Sequence, residues 1–207
     1  FQSVLMISIL LSLFGTDISS VKFISKYFSD RNYKYVKSVY VRVVKIMLPI
    51  SLLLSIAIYL CRVFLSDLIF KNPNLDIAIS YSAFCIIPLS FIYIHSESLR
   101  GMRKVELYSL LKYLLIPFFA IIYMLFLNDN SLFTPIKSYV FAVIITSILS
   151  FIIWIYKSQF LLHKTDKSLQ ISVLESSYSF FISSSMLLLL QWIDVLFLGY
   201  FKSASDV

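Results

Sequence analysis

Residues 138–156 read SYVFAVIITSILSFIIWIY, and no charged side chain interrupts them between Lys137 and Lys157. An α-helix needs about 20 predominantly apolar residues to cross the roughly 30 Å hydrocarbon core of a bilayer. The few polar residues in the stretch follow no period of two, which a strand of a membrane barrel would require. The stretch is therefore predicted to be a membrane-spanning α-helix.

Five further apolar stretches of similar length occur in the chain. The runs between charged residues place the six spans at about 1–20, 44–66, 76–96, 107–128, 136–157 and 174–200. Of the 207 residues, 59% are hydrophobic and 14% are charged, whereas a soluble domain has about 45–50% apolar and about 25% charged residues. Because backbone N–H and C=O groups in lipid must bond within their own segment, we predict an all-α fold, a polytopic transmembrane helical bundle.

Basic residues are distributed unevenly between alternate loops. Fourteen of the 18 Lys and Arg residues lie in or beside the first, third and fifth loops, at 22–45, 97–106 and 157–174. Basic loops are retained in the cytoplasm, so these three loops are predicted to be cytoplasmic and the residue 1 end to lie outside. Topology and anionic headgroups account for the net charge of +7. No nucleic-acid-binding module accompanies that charge, so no nucleic acid partner is expected.

The residues alone leave the function open among a transporter, a channel and a membrane-embedded enzyme. Cys61 and Cys85 lie in apolar stretches without a second Cys or His at metal-ligand spacing, so neither a metal site nor a cofactor is predicted. His95 and His163 are expected at a span end and in a loop. An embedded enzyme usually presents a polar loop or a His/Asp/Glu constellation, and both predicted outer loops are short and poor in such residues.

Three local patterns narrow the choice. The first is Gly15-Thr16-Asp17-Ile18-Ser19-Ser20-Val21-Lys22-Phe23-Ile24-Ser25-Lys26-Tyr27, and the second is Ser98-Leu99-Arg100-Gly101-Met102-Arg103-Lys104. The third is Gln191-Trp192-Ile193-Asp194-Val195-Leu196-Phe197-Leu198-Gly199-Tyr200-Phe201-Lys202-Ser203-Ala204-Ser205-Asp206-Val207. Together they resemble the polysaccharide transporter family, which includes the O-antigen flippases, within the multidrug/oligosaccharidyl-lipid/polysaccharide exporter superfamily. The basic residue of the first pattern is usually Arg in that family and is Lys22 here. The Pro that the family often has early in its seventh span does not occur between Leu174 and Gly199.

The resemblance implies two six-helix lobes that open alternately to either side of the membrane. The three patterns cover spans two to seven, so we expect the sequence to be an internal piece of a longer protein. Residues 1–157 are then a partial N-terminal lobe of five spans, 158–173 a cytoplasmic inter-lobe linker, and 174–207 the first span of the C-terminal lobe. Physically, the second pattern predicts a helix that ends at Gly101 with cations at its carboxyl end.

The same resemblance implies a flippase that moves a polyprenyl-diphosphate-linked oligosaccharide across the bacterial inner membrane by alternating access. The oligosaccharide is an O-antigen, capsule or exopolysaccharide unit, and no bond is made or broken. Its implied partners are the lipid-linked substrate, membrane lipids and a coupling ion, either a proton or sodium. The alternatives are a cation-coupled multidrug exporter of the same superfamily, a membrane-embedded polysaccharide polymerase, and a structural or assembly protein.

Charged residues at membrane depth are candidates for function, because each costs about 2.5–3.5 kcal/mol on insertion scales. A diphosphate in a low-dielectric cavity requires cationic partners. The predicted substrate-binding residues are Lys22, Lys26, Lys112 and Arg62. The predicted ion-coupling or structural charges are Asp17, Asp194 and Glu175. The alternative interpretation is that the cations extend to the membrane interfaces and that Glu175 stabilises the start of its helix.

Overall fold

The computed structural model describes residues 1–69, 75–127, 133–159, 165 and 173–201. The α-helices are α1 (Gln2–Leu13), α2 (Thr16–Ser29), α3 (Tyr33–Leu60), α4 (Arg62–Phe64), α5 (Leu75–Gly101), α6 (Val105–Ser109), α7 (Leu115–Leu127), α8 (Thr134–Lys157) and α9 (Val173–Phe201). A turn of π-helix, Leu65–Ile69, follows α4. A second one, Leu110–Leu114, joins α6 to α7. No strand occurs in these ranges, and the predicted all-α bundle is confirmed.

The predicted spans fall on these helices. Among the described residues, α3, α5, the segment Val105–Phe126 and α8 are each long and apolar enough to cross a membrane, and α1 with α2 forms a fifth, bent candidate. The sixth predicted span falls on α9, which has 29 residues and whose side chains are described only in part. The chain is a multi-pass membrane protein by the length and composition of its helices.

The first span is broken at Phe14 and Gly15. Both residues have left-handed backbone conformations, with φ of 47° and 71°, and α2 leaves α1 at an angle of 49°. The Phe14 N–H donates to the Leu10 carbonyl at 3.2 Å, and the Thr16 hydroxyl donates to the Leu13 carbonyl at 2.5 Å. These bonds satisfy carbonyls that the break would otherwise leave unpaired, which is how a bend is tolerated at membrane depth.

Most of the predicted loop 22–45 is helical, which corrects the sequence interpretation. The turn between α2 and α3 contains only Asp30, Arg31 and Asn32, with Arg31 at φ 53°. Asn32 caps α3 by accepting a hydrogen bond from the Tyr35 N–H at 3.4 Å. Runs between charges identify only the part of a helix that lies in hydrocarbon, whereas backbone bonding continues the helix through its basic end.

Helix α5 is the centre of the bundle. It packs against α1, α2, α3, α6 and α8, and its buried face includes Cys85, Ile86, Leu89, Ile92, His95 and Leu99. The helices around it leave large apolar side chains exposed on their outer faces, as at Leu53, Leu125 and Phe126. In water such surfaces would favour aggregation, whereas in a bilayer they are the faces that contact lipid.

Buried serines lie along the helix contacts. Their hydroxyls donate to carbonyls three or four residues earlier in the same helix, as at Ser8, Ser20, Ser51 and Ser82. Small side chains let helix backbones approach closely, and the local bonds keep hydroxyl groups satisfied in lipid. The contact between α1 and α5 is an example, because the Ser12 and Ser90 hydroxyl oxygens lie 2.5 Å apart.

Helix α9 packs against the bend of the first span. The Ser177 hydroxyl donates to the Ser19 hydroxyl at 2.9 Å, and the rings of Phe14 and Phe181 stack with centroids 4.7 Å apart. A side chain on Gly15 would overlap the backbone of Ser177 and Phe181. The linker predicted at 158–173 lies largely outside the described residues, so the domain boundaries remain a prediction.

The three basic loops meet at one end of the bundle. The Arg103 guanidinium donates to the Ser29 hydroxyl at 3.3 Å, which links the first loop to the third. Lys157, the C-terminal residue of α8 and the start of the fifth loop, lines one cavity with Lys104 of the third loop and Tyr33 of the first. Helix α5 ends at Gly101 as predicted. The shared end agrees with the alternation of charge, and the side of the membrane that it faces remains a prediction.

Candidate functional site

Lys22 and Lys26 lie one turn apart on α2, so both ammonium groups project from the same face. Both side chains are exposed, and neither forms an ion pair within the described part of the chain. The Lys22 Nζ lies 5.4 Å from the centre of the Phe23 ring and 5.9 Å from that of Phe180 on α9. The two cations are therefore available to an anion beside the contact between α2 and α9.

Asp17 lies five residues before Lys22, in the first turn of α2 and just after the break in the first span. It lines a cavity of about 100 Å³ together with Gly15, Tyr93 on α5 and Ser184 on α9, over apolar side chains of α1. The carboxylate is close enough to Glu97 and Lys112 for their charges to act on it. Asp17 thus belongs to a group of charged residues that extends from α2 to α5 and the π-turn Leu110–Leu114.

Glu97 forms the centre of this group and was not among the residues predicted from the sequence. Its side chain is 3% exposed, and its Oε1 lies 2.5 Å from the Nζ of Lys112, while Oε2 lies 2.8 Å from the Nη2 of Arg100. The Glu97–Arg100 spacing of three residues on a helix was the available sequence signal. The spacing of 15 residues to Lys112 gives no such signal, because the pair forms only when α5 packs against the next segment.

Lys112 lies in the π-turn Leu110–Leu114 and is 16% exposed. Its Nζ lies 5.1 Å from the ring centres of Tyr93 and Tyr108 and 5.9 Å from that of Tyr113. The aromatic faces and the Glu97 carboxylate together compensate for the loss of water around the ammonium group. Lys112 is therefore held by protein groups, in contrast to Lys22 and Lys26.

Arg62 lies at the other end of the bundle. Its Nε is 2.9 Å from the Oδ1 of Asp76, and its guanidinium lies 4.5 Å from the centre of the Tyr59 ring. Helix α3 separates this position from the basic end by about 40 Å, at 1.5 Å per residue over 28 residues. The four predicted substrate-binding residues thus form one pair, Lys22 with Lys26, and two separate ion-paired cations.

The whole sequence, residues 1–207, matches the model of a protein family described as "Polysaccharide biosynthesis protein". The chain belongs to this family. The match covers all three patterns that indicated the resemblance, and it confirms that resemblance. No curated protein and no solved structure matches the chain significantly. The chain is thus a membrane protein of polysaccharide synthesis or export.

Two further acidic residues predicted from the sequence lie on α9 of this polysaccharide biosynthesis protein family member. Glu175 is in the first turn of α9 and is exposed, where a carboxylate stabilises the positive end of the helix dipole. Asp194 lies in the same helix, and its side chain lies outside the described residues. No contact joins Glu175 to the group around Glu97 among the described residues, and a role in ion coupling remains a prediction for both Glu175 and Asp194.

His95 is inside α5 and fully buried, which corrects its expected position at a span end. Its Nε2 lies 2.7 Å from the Tyr40 hydroxyl, and its Nδ1 lies 2.8 Å from the Ser150 hydroxyl. The Ser150 hydroxyl donates its proton to the Ser147 carbonyl, so it accepts a hydrogen bond from Nδ1–H. In this family member, His95 joins α3, α5 and α8.

Proposed function

We propose that this chain is part of a flippase that translocates a polyprenyl-diphosphate-linked oligosaccharide across the bacterial inner membrane by alternating access. The observation that carries the proposal is the pair of exposed lysines, Lys22 and Lys26, on one face of α2 and without a carboxylate partner among the described residues. Family membership supports a substrate from polysaccharide biosynthesis. The protein acts on that substrate as a transporter and performs no covalent chemistry.

The spacing of the two lysines suits a diphosphate. Residues one helical turn apart have Cβ atoms about 5–6 Å from each other, so two flexible ammonium groups can contact two adjacent phosphates. Each ammonium is a mobile point charge, and it can follow a headgroup that moves through the site. Because Lys22 lies near Phe180 of α9, a phosphate bound there contacts the junction between the first lobe and the next helix.

The cavity at Asp17 supports a coupling ion in the same transport cycle. Its volume of about 100 Å³ accommodates a proton, a sodium ion or water. Sites for drug-sized molecules usually have volumes of about 300–1,000 Å³. An acidic cavity this small favours an ion over a drug as its occupant, and a coupling ion is part of the proposed transport cycle.

The experiment is transport by the full-length protein in proteoliposomes that contain a fluorescent polyprenyl-diphosphate oligosaccharide. A membrane-impermeant reagent that destroys the fluorophore measures the fraction of substrate on the outer face. We expect protein-dependent movement of the intact substrate, and no movement of the same oligosaccharide attached to an uncharged lipid. Export of a cationic dye instead would support the multidrug alternative, and a longer glycan product would support the polymerase.

A further inference from the structure

A groove runs between α3 and α8, which pack against α5 from two sides. At the basic end it is a cavity of about 790 Å³, lined by Phe28, Tyr33, Lys104, Ile152, Tyr156 and Lys157. Deeper in the bundle it is a cavity of about 330 Å³, lined by Tyr40, Val44, Lys45, Phe91, Phe151 and Trp154. Ile155 lines both cavities and makes them neighbours. We call the two together the α3–α8 groove.

The groove is basic at one end and, apart from Lys45, mainly apolar along its length. Lys104 and Lys157 are both exposed, and neither forms an ion pair within the described ranges. Ile152, Ile155 and Phe151 follow on α8 toward the middle of the bundle. This polarity matches that of a lipid in a bilayer, with a charged headgroup at the interface and hydrocarbon below it.

An unpartnered polar group lies in the deeper part of the groove. Trp154 is 1% exposed, and its indole N–H has no hydrogen-bond acceptor among the described residues. A buried N–H without an acceptor is costly, and most such groups in proteins are paired. Lys45 is exposed beside it, so both a donor and a further cation border the apolar cavity. A ligand that carries oxygen acceptors and hydrocarbon would satisfy both features.

We propose that the α3–α8 groove binds one anionic phospholipid from the leaflet at the basic end of the bundle. Lys104 and Lys157 contact its phosphate headgroup, and an acyl chain lies along Ile152, Ile155 and Phe151. An ester carbonyl of the lipid supplies the acceptor for the Trp154 N–H. A zwitterionic lipid carries its own cation and gains less from the two lysines, so the site selects for net negative charge.

The site lies apart from Lys22 and Lys26 and depends only on the membrane setting, so it stands whichever substrate is transported. The test is native mass spectrometry of the full-length protein, released from nanodiscs that contain equal amounts of phosphatidylglycerol and phosphatidylethanolamine. We expect retention of phosphatidylglycerol by the unsubstituted protein. A Lys104→Gln/Lys157→Gln variant should bind this lipid about 25-fold more weakly, because each interfacial lysine contributes about fivefold.

Two further variants make the result specific. Arg31→Gln/Lys34→Gln removes the same charge from the same end of the protein, outside the groove, and should retain the lipid. Ile155→Trp fills the groove without a change of charge and should release the lipid while the protein remains folded, as judged by its elution in size-exclusion chromatography. Equal retention by both double variants would overturn the proposal. Displacement of the lipid by added polyprenyl diphosphate would also overturn it, because the groove would then be a substrate site. A dimer that dissociates in the Ile155→Trp variant would overturn it as well, because a second copy of the chain would then occupy the groove.

Discussion

The Oε1 of Glu97 and the Nζ of Lys112 lie 2.5 Å apart and join α5 to the π-turn that precedes α7. Glu97 is the more deeply buried partner, with 3% of its side chain exposed against 16% for Lys112. Arg100 contacts the second carboxylate oxygen from the more exposed side. One buried carboxylate thus pairs with two cations, which offsets part of the cost of placing these charges at this depth.

The first prediction concerns the coupling between Glu97 and Lys112. Lys112→Met should destabilise the full-length protein by about 3 kcal/mol, because it leaves a buried carboxylate with only Arg100. Glu97→Gln should cost less, since the tyrosines around Lys112 remain. The double variant should lose about 1–3 kcal/mol less free energy of unfolding than the two single variants lose in sum. Denaturant unfolding in detergent measures all three, with exposed Glu106→Gln as the control. Strict additivity would show that the pair is not coupled.

The second prediction concerns Gly15. A Gly15→Ala variant places a side chain at φ 71° and against the backbone of Ser177 and Phe181, so α9 should move away from α2. The reporter is a disulfide between Ser19→Cys and Ser177→Cys, whose hydroxyls lie 2.9 Å apart, in a background without Cys61 and Cys85.

The disulfide should form readily in this background and at least tenfold more slowly with Gly15→Ala. Gly101→Ala is the matched control, because the atoms nearest to a Cβ added at Gly101 belong to Val21 and Ile24 of α2. An unchanged rate in the Gly15→Ala variant would contradict the packing described for α9.

The third prediction concerns the two exposed lysines of α2. Lys22→Ala and Lys26→Ala should each reduce surface polysaccharide in a flippase-null strain complemented with the full-length protein, and the double variant should abolish it. Lys22→Arg should retain function, because it keeps the charge. The measurement is glycan normalised to the amount of protein in the membrane, with Lys34→Ala as a control for loss of basic charge at the same end. Wild-type glycan from the double variant would exclude these lysines from substrate binding.

The fourth prediction concerns orientation. Single cysteines at positions 34 and 104 should react with an impermeant maleimide only from the cytoplasmic side, and a cysteine at position 137 only from the outside. The proteins again lack Cys61 and Cys85. We expect this because the basic loops meet at one end of the bundle. Lys137 lies in the first turn of α8, at the opposite end of that helix from Lys157. Labelling of position 34 from the outside alone would reverse the orientation.

Much of the fold could be predicted from the sequence, because crossing a bilayer imposes a length and a composition on each helix. The span predicted at 76–96 lies within α5, and the one at 136–157 lies within α8. The error at 22–45 has a specific cause: Lys22 and Lys26 interrupt the apolar run and leave the α2 helix intact. Helices of this protein extend beyond their apolar segments, so a boundary set by charge is too short.

The candidate site was less predictable. The pair Lys22–Lys26 was visible as a motif, and its spacing on a helix follows once α2 is known. The partner of Lys112 was not visible, because Glu97 is near the end of a predicted span and resembles an interfacial residue. His95 was misplaced for the same reason. Its partners, Tyr40 and Ser150, are each 55 residues away, and only the packing of three helices brings them together.

The buried serines have a consequence for how the protein assembles. Since hydroxyls such as those of Ser8, Ser51 and Ser82 are bonded to carbonyls of their own helices, each helix can enter the bilayer with these groups already satisfied. Helices that meet later need not exchange these hydrogen bonds, and they associate through the close fit of small side chains. Insertion and association are thus separable steps in the biogenesis of this protein, and the ion pair of Glu97 and Lys112 is a contact that only the second step can form.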